Sequence, residues 1–347
     1  MDFKVVYTST APIPIDRDAI TSLGAAYVEK PAPTEDDILS VASDADVVVT
    51  RSEPLTRRVI AGLKSCRLIA TPKVGYDNID VPAATEMGIC VANMPGLSSD
   101  EVSDHAMALL LALARRITRL DRMVRAGEWH VFHGWEMQAM WRGISQLRGQ
   151  TLGLVGFGSI ARTLTPKAQA FGLHILACDP YVKQELMDNA GVKATALADL
   201  LQESDYVSLH SLLTPETHHM LGLDQFRIMK PTAYLINTSR GGLVDEDALH
   251  RALTGGYIAG AGLDVLETEP VKTDNPLLHL DNVICTGHSG HYSDQVWAEQ
   301  ARRPAEEVGR IMSGQWPRGW VNPEVEPRFL SKWGSRTPLR HGQQFSR

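Results

Sequence analysis

The feature that most constrains this 347-residue chain is an alternation that occurs twice. Short runs rich in Val and Ile at 3–7, 46–50, 67–71 and 89–92 are separated by helical spacing at 34–42, 56–63 and 81–87. Thr34 and Asp80 stand where helix N-caps belong. A second series predicts strands at 151–155, 173–178, 206–209, 233–237, 259–263 and 283–285, then a helix over 293–313. Continuous apolar strands alternating with helices give parallel sheets covered on both faces. One hydrophobic core rarely grows past about 250–300 residues. The expectation is therefore an α/β chain with two doubly wound domains.

Between the two series, one long helix is expected over 99–127. Ala106, Leu109, Leu113, Ile117, Leu120 and Val124 recur at helical spacing, and Leu110, Leu111 and Ala114 widen the apolar face. That surface is either buried within the chain or shared with a second copy, and a homodimer is expected. Residues 128–148 show no period; Trp135, Met137, Met140 and Trp141 there either line a substrate pocket or fill an interface. The tail from 326 has five basic residues and is expected to be poorly ordered.

Composition removes several functions. The net charge of −7 repels nucleic acid phosphates. The longest apolar run, 106–114, is far short of the ~20 residues that span a bilayer. Cys66, Cys90, Cys178 and Cys285 lie far apart and form no CxxC, which suits reduced thiols in a cytoplasm.

The turn Gly156-Phe157-Gly158-Ser159-Ile160-Ala161 directly follows a predicted strand and opens a helix. Gly156 permits the tight turn, Gly158 lets the backbone approach a pyrophosphate, and the helix start offers free N–H groups. Asp179 ends the next strand, where a carboxylate binds ribose hydroxyls and repels the extra phosphate of NADP. Pro180 and Tyr181 follow with no Arg beside them, which favours NAD.

Three residues near later strand ends suit the chemistry that such a cofactor serves. Arg240 offers a planar fork for a carboxylate and a carbonyl. His288 suits general acid/base work, and Glu269 would orient its ring and ready it to donate a proton.

With these motifs in view, the sequence resembles the D-isomer-specific 2-hydroxyacid dehydrogenase family, from about Lys4 to Val321. The motif Val74-Gly75-Tyr76-Asp77-Asn78-Ile79-Asp80 resembles the family's substrate loop, and the resemblance implies that the N–H groups of Val74 and Gly75 bind the substrate carboxylate. Asn237 to Gly241 with Asp245 resembles the Arg motif, Asp264 to Pro270 the Asp…Glu-Pro motif, and His288 the acid/base.

The resemblance implies a flavodoxin-like substrate domain of 1–98 and 289–325, an NAD-binding Rossmann domain of 99–288, and a cleft between them. It also implies cofactor contacts at His210, Ser211, Thr214, Thr238, Ser239, Asp264 and Gly290, beside those of the glycine turn, Asp179 and Pro180. Ser52 and His291 are implied substrate contacts, with Arg51 beside the first. The segment from His288 to Gln295 resembles the C-terminal-binding protein branch, with departures: Gly287 replaces the usual Pro, His291 the branch's Trp, and Leu212 a frequent Pro.

The reaction implied is hydride transfer between NADH and a small 2-oxo acid. Two alternatives are an NAD(H)-sensing binding protein and a phosphite dehydrogenase on the same scaffold. Glu128, His130 and His133 approach HxxH spacing without a further ligand, so no metal is expected. His218 and His219 are adjacent and expected to point apart as surface residues.

Overall fold

The computed structural model describes residues 3–11, 13, 15–128, 141 and 143–334. The chain divides into two compact units, Met1–Leu97 with Ser293–Arg347, and Ser98–Tyr292.

The first unit is a five-stranded parallel sheet of β1 (Lys4–Tyr7), β2 (Ala26–Glu29), β3 (Val47–Val49), β4 (Leu68–Ala70) and β5 (Cys90–Ala92), in the order β2-β1-β3-β4-β5. Successive strand residues point to opposite faces. Val6, Val48, Ile69 and Val91 therefore pack with Ile38, Val59, Ile60 and Ala83 of three helices. Val5, Val47, Leu68 and Cys90 pack on the other face with Ile20, Val308, Ile311 and Phe329. The predicted caps are present: Thr34 accepts from the Asp37 N–H in a capping box, and Asp80 accepts from the Ala83 N–H.

β2 was not expected. It is an edge strand with little buried surface, so it lacks the apolar run that marks the others. The tail expectation is corrected for its first part. Glu326–Trp333 is a helix, because Phe329 is fully buried and Trp316 packs edge-on against its ring at 5.1 Å. The tail from 335 lies outside the described residues.

The second unit is a seven-stranded parallel sheet of β6 (Thr151–Val155), β7 (His174–Cys178), β8 (Lys193–Ala194), β9 (Tyr206–Leu209), β10 (Tyr234–Asn237), β11 (Gly260–Leu263) and β12 (Val283–Cys285). Its order is β12-β11-β10-β9-β6-β7-β8. The order reverses between β6 and β9, the switch point where open α/β sheets bind ligands at their carboxyl ends. β8 adds a seventh strand to the six expected; two residues are too few to leave a pattern.

The helix expected over 99–127 is corrected to two, Ser99–Ala114 and Ile117–Arg125. Between them Arg116 takes a left-handed backbone at φ 52°. The apolar spacing runs through the break and conceals it. The first helix buries eight residues and lies close on the sheet, with Leu109 and Leu113 3.1 and 3.2 Å from where a Cβ on Gly262 would stand. The second has no buried residue, and Ile117 and Val124 stay exposed. Among the described residues no helix is long and apolar enough to cross a membrane.

Candidate active site

The glycine turn sits at the switch point. Gly156 has φ 92°, and a Cβ there would lie 2.7 Å from the His210 carbonyl oxygen, so only glycine fits. Gly158 has no such constraint: its Cβ would meet no protein atom within 4 Å. It precedes the helix Ser159–Ala170 and leaves the first-turn N–H groups without a side-chain cap. Ser159 is exposed and Ile160 half-buried there. Phe157 is a core residue whose N–H donates to Asp179 Oδ2 at 2.8 Å. Asp179 Oδ1 accepts from the Tyr181 N–H at 2.9 Å, which fixes the carboxylate beside the turn, and Pro180 is exposed.

Two buried polar atoms on this edge have no partner among the described residues: Nδ1 of His210 and Oγ1 of Thr238. Each unmade hydrogen bond costs about 1–3 kcal/mol, which a polar ligand seated there recovers. Around them, Ser211 Oγ donates to Val155 O, Ser239 Oγ donates to Leu209 O, and the Thr214 N–H donates to Thr217 Oγ1. A bare approach at Gly158, a placed carboxylate and unpaired polar atoms at the switch point fit a dinucleotide.

Burial pushes His210 down to about 4. Its folded state stays neutral where the unfolded chain protonates, so the unfolded state binds more protons between pH 6.5 and 4. Stability is expected to fall as pH drops through that window, by up to about 3 kcal/mol from this group. Thermal melts at pH 7 and 4.5 check it: His210→Gln flattens the dependence, and equal slopes for both proteins refute the assignment.

Glu269 and His288 meet. His288 Nδ1 lies 2.6 Å from Glu269 Oε2, so the carboxylate accepts the Nδ1 hydrogen and Nε2 is left for a reacting oxygen. Glu269 Oε1 accepts from the Leu266 N–H at 3.1 Å, which holds the carboxylate in place. Arg240 is brought beside this loop by Gly241, where a Cβ would lie 1.9 Å from the Leu266 carbonyl carbon. Arg240 Nη1 donates to Ser239 O at 2.8 Å.

His288 sits in a left-handed backbone at φ 56°, and Gly287 before it at φ 65°. Proline is locked near φ −65°, so glycine at 287 goes with this turn. His291 packs edge-on to His288 at 5.7 Å.

Asp264 is tied down by the protein itself. Its carboxylate accepts from Thr286 Oγ1 at 2.5 Å and from the Ser289 and Gly290 N–H groups at 2.9 Å each. Burial works against the charge, but these hydrogen bonds outweigh it and hold the carboxyl below its usual range. Gly290 is required by packing, since a Cβ there would stand 2.9 Å from Asp264 Oδ2.

His218 and His219 are exposed, as expected, but the expectation that they point apart is corrected. Their rings stack at 3.9 Å, and His219 has a left-handed backbone at φ 52°. His219 Nε2 lies 2.9 Å from Glu267 Oε1, and its N–H donates to Gly242 O, so it links the Arg240 and Glu269 segments. The sequence reading missed this link, as it missed His105, whose Nε2 lies 2.8 Å from Thr286 Oγ1. No local pattern marks either one.

In the first unit, Ser52 is exposed after β3. Buried Glu53 accepts from the N–H groups of Thr10, Arg51 and Ser52 and so shapes that loop. Burial raises the Glu53 carboxyl, but these hydrogen bonds prevail and lower it. Arg51 is buried, with Nη1 3.4 Å from Gln300 Oε1. Val74 is exposed, its carbonyl accepts from Asn93 Nδ2 at 2.6 Å, and Gly75 is half-buried beside it. Trp141 is exposed, whereas Trp135, Met137, Met140, His130 and His133 lie outside the described residues. Among the described residues no group of three His, Cys, Asp or Glu could hold a metal ion.

Residues 107–290 match the model of the D-isomer specific 2-hydroxyacid dehydrogenase NAD binding domain. A glyoxylate reductase of Korarchaeum cryptofilum is 42% identical over 300 residues, covering 86% of this chain and 89% of the relative. A D-3-phosphoglycerate dehydrogenase of Methanocaldococcus jannaschii is 40% identical over 302 residues, 86% of this chain but 56% of that longer protein. The solved D-lactate dehydrogenase of Aquifex aeolicus, complexed with NAD and lactic acid, superposes with a TM-score of 0.75 at 29% identity, covering 97% of this chain and 100% of that one. The chain belongs to the D-isomer-specific 2-hydroxyacid dehydrogenases, NAD-dependent oxidoreductases that act on a CH–OH group.

Proposed function

We propose that this chain works as a reductase of small 2-oxo acids, with His288 as the proton donor. The observation that carries the reading is the 2.6 Å contact between His288 Nδ1 and Glu269, on a loop pressed against the Arg240 turn. When bound, NADH supplies the hydride. Glu269 holds the imidazole so that Nε2 faces the substrate oxygen and delivers a proton to it. Arg240 binds the substrate carboxylate and polarises the adjacent carbonyl, where charge develops. Ser52, the N–H groups of Val74 and Gly75, and His291 are the proposed further substrate contacts.

The cofactor contacts proposed are the glycine turn from Gly156 to Ile160, Asp179, Pro180, His210, Ser211, Thr214, Thr238, Ser239, Asp264 and Gly290. Asp179 supports NAD over NADP, because a carboxylate fixed by two backbone N–H groups repels a 2′-phosphate. Asp179→Ala is expected to narrow the ratio of kcat/KM for NADH over NADPH at least ten-fold. An unchanged ratio removes Asp179 from the selection.

The proposed assembly is a homodimer in the cytoplasm, supported by Ile117 and Val124 on a helix with no buried residue. Light scattering at a mass of one chain would refute the dimer.

The test of function is NADH absorbance against a panel from glyoxylate and hydroxypyruvate to phenylpyruvate and 4-methylthio-2-oxobutyrate. Consumption that a His288→Ala variant loses is the expected result, and the preferred acid sizes the pocket. Tight NADH binding without turnover of any of them would overturn the reading in favour of an NAD(H)-sensing binding protein. Turnover of phosphite alone would overturn it in favour of phosphite oxidation.

A further inference from the structure

The turn that carries His288 is wrapped around one buried carboxylate. The main-chain oxygen of Asp264 accepts from the His288 N–H at 2.5 Å. Its carboxylate takes the two following N–H groups, of Ser289 and Gly290, and the Thr286 hydroxyl from the other side. Ser289 Oγ closes the turn by donating to Thr286 O at 2.6 Å. Inside this wrap Gly287 and His288 both have positive φ, a conformation that non-glycine residues keep only when their surroundings impose it.

A further side chain reaches the wrap. His105, from the helix Ser99–Ala114, places Nε2 2.8 Å from Thr286 Oγ1 and 3.4 Å from Asp264 Oδ1. Its ring also covers Gly290, with Cγ and Cδ2 3.1 Å from where a Cβ would stand. Hydrogen accounting fixes the direction of the contact. A hydroxyl has one hydrogen, and that of Thr286 goes to Asp264. The His105–Thr286 contact therefore needs its hydrogen from His105, which must carry it on Nε2.

We infer that His105 is a positioning residue for the reaction: by donating from Nε2 to Thr286 it holds that hydroxyl on Asp264, and so fixes the left-handed turn that aims His288. Without this donor the hydroxyl is free to rotate, Asp264 loses one of its three hydrogen bonds, and the turn relaxes. The inference rests on the reading of His288 as the acid/base. It adds a residue that touches neither the His288 ring nor Glu269.

The experiment compares His105→Leu, which keeps bulk and loses the donor, with His105→Gln, whose amide nitrogen can stand in for Nε2. Thr286→Val removes the other end of the contact. His105→Leu is expected to lower kcat about ten-fold, the scale on which slight misplacement of a catalytic group is felt. His105→Gln is expected to recover most of kcat. The double variant His105→Leu/Thr286→Val is expected to be no slower than Thr286→Val alone, because both cut one path.

A kcat for His105→Leu within two-fold of the parent overturns the inference. So do a His105→Gln variant as slow as His105→Leu, and additive losses in the double variant. Should His105→Leu fail to fold, His105→Asn takes its place, with an amide too short to reach Thr286. The two readings fail separately: a fast His288→Ala variant removes the acid/base assignment, whereas a dead His288→Ala variant beside a fast His105→Leu variant removes only the role of His105.

Discussion

His288→Ala is expected to lower kcat for 2-oxo-acid reduction about 1,000-fold, while NADH affinity changes less than two-fold. A placed general acid contributes on the order of 10²–10⁴-fold, and the residue proposed for that role is held from both ends. Its Nδ1 is held by Glu269 and its backbone by Asp264 O. Alanine keeps the loop's other anchors, since the Ser289 and Gly290 N–H groups still reach Asp264. The loss therefore belongs to the proton transfer, and it is read by steady-state kinetics beside a fluorescence titration with NADH. Glu269→Gln is expected to be milder, because an amide oxygen still accepts the Nδ1 hydrogen. A His288→Ala variant with more than a tenth of the parent's kcat would remove the residue from the chemistry.

Asp264→Asn is the second large effect, and it strikes folding and catalysis together. The carboxylate receives three hydrogens, from Thr286, Ser289 and Gly290. An amide offers one oxygen to these three donors and turns its own N–H₂ towards one of them. At a buried site, leaving a donor unmatched and removing a charge-assisted bond costs about 3 kcal/mol. For a unit of this size that corresponds to a Tm lower by about 6–12 °C. The turn at 287–288 loses its frame at the same time, so kcat is expected to fall about 100-fold. Thermal melts and kinetics on one preparation check both. A variant with parental Tm and kcat would show that the wrap around Asp264 does not hold the turn.

Much of this was legible in the sequence because it is encoded between neighbours along the chain. Short apolar runs alternating with helical spacing marked ten of the twelve strands among the described residues; Thr34 and Asp80 marked helix starts; Gly156 and Gly158 marked the turn at the switch point. What escaped has a common cause. β2 and β8 are edge strands with little buried surface, so no apolar run announces them. The apolar spacing from Ala106 to Val124 continues through the break at Arg116, because periodicity records which face is apolar, not whether the backbone is continuous. Phe329 gives the basic stretch a helix only because the first unit's core receives its ring.

The sequence by itself determined two parallel α/β sheets, the glycine turn at the switch point and the residue types proposed for acid/base and carboxylate chemistry. The tertiary structure alone decided which of those residues meet and how they are held. His105, Asp264 and Thr286 come together across 181 and 22 positions of chain. His219 reaches Glu267 only because its backbone turns left-handed. Such contacts depend on strand order and on the lie of a helix over the sheet. These follow from the packing of the whole unit, and no local spacing carries them.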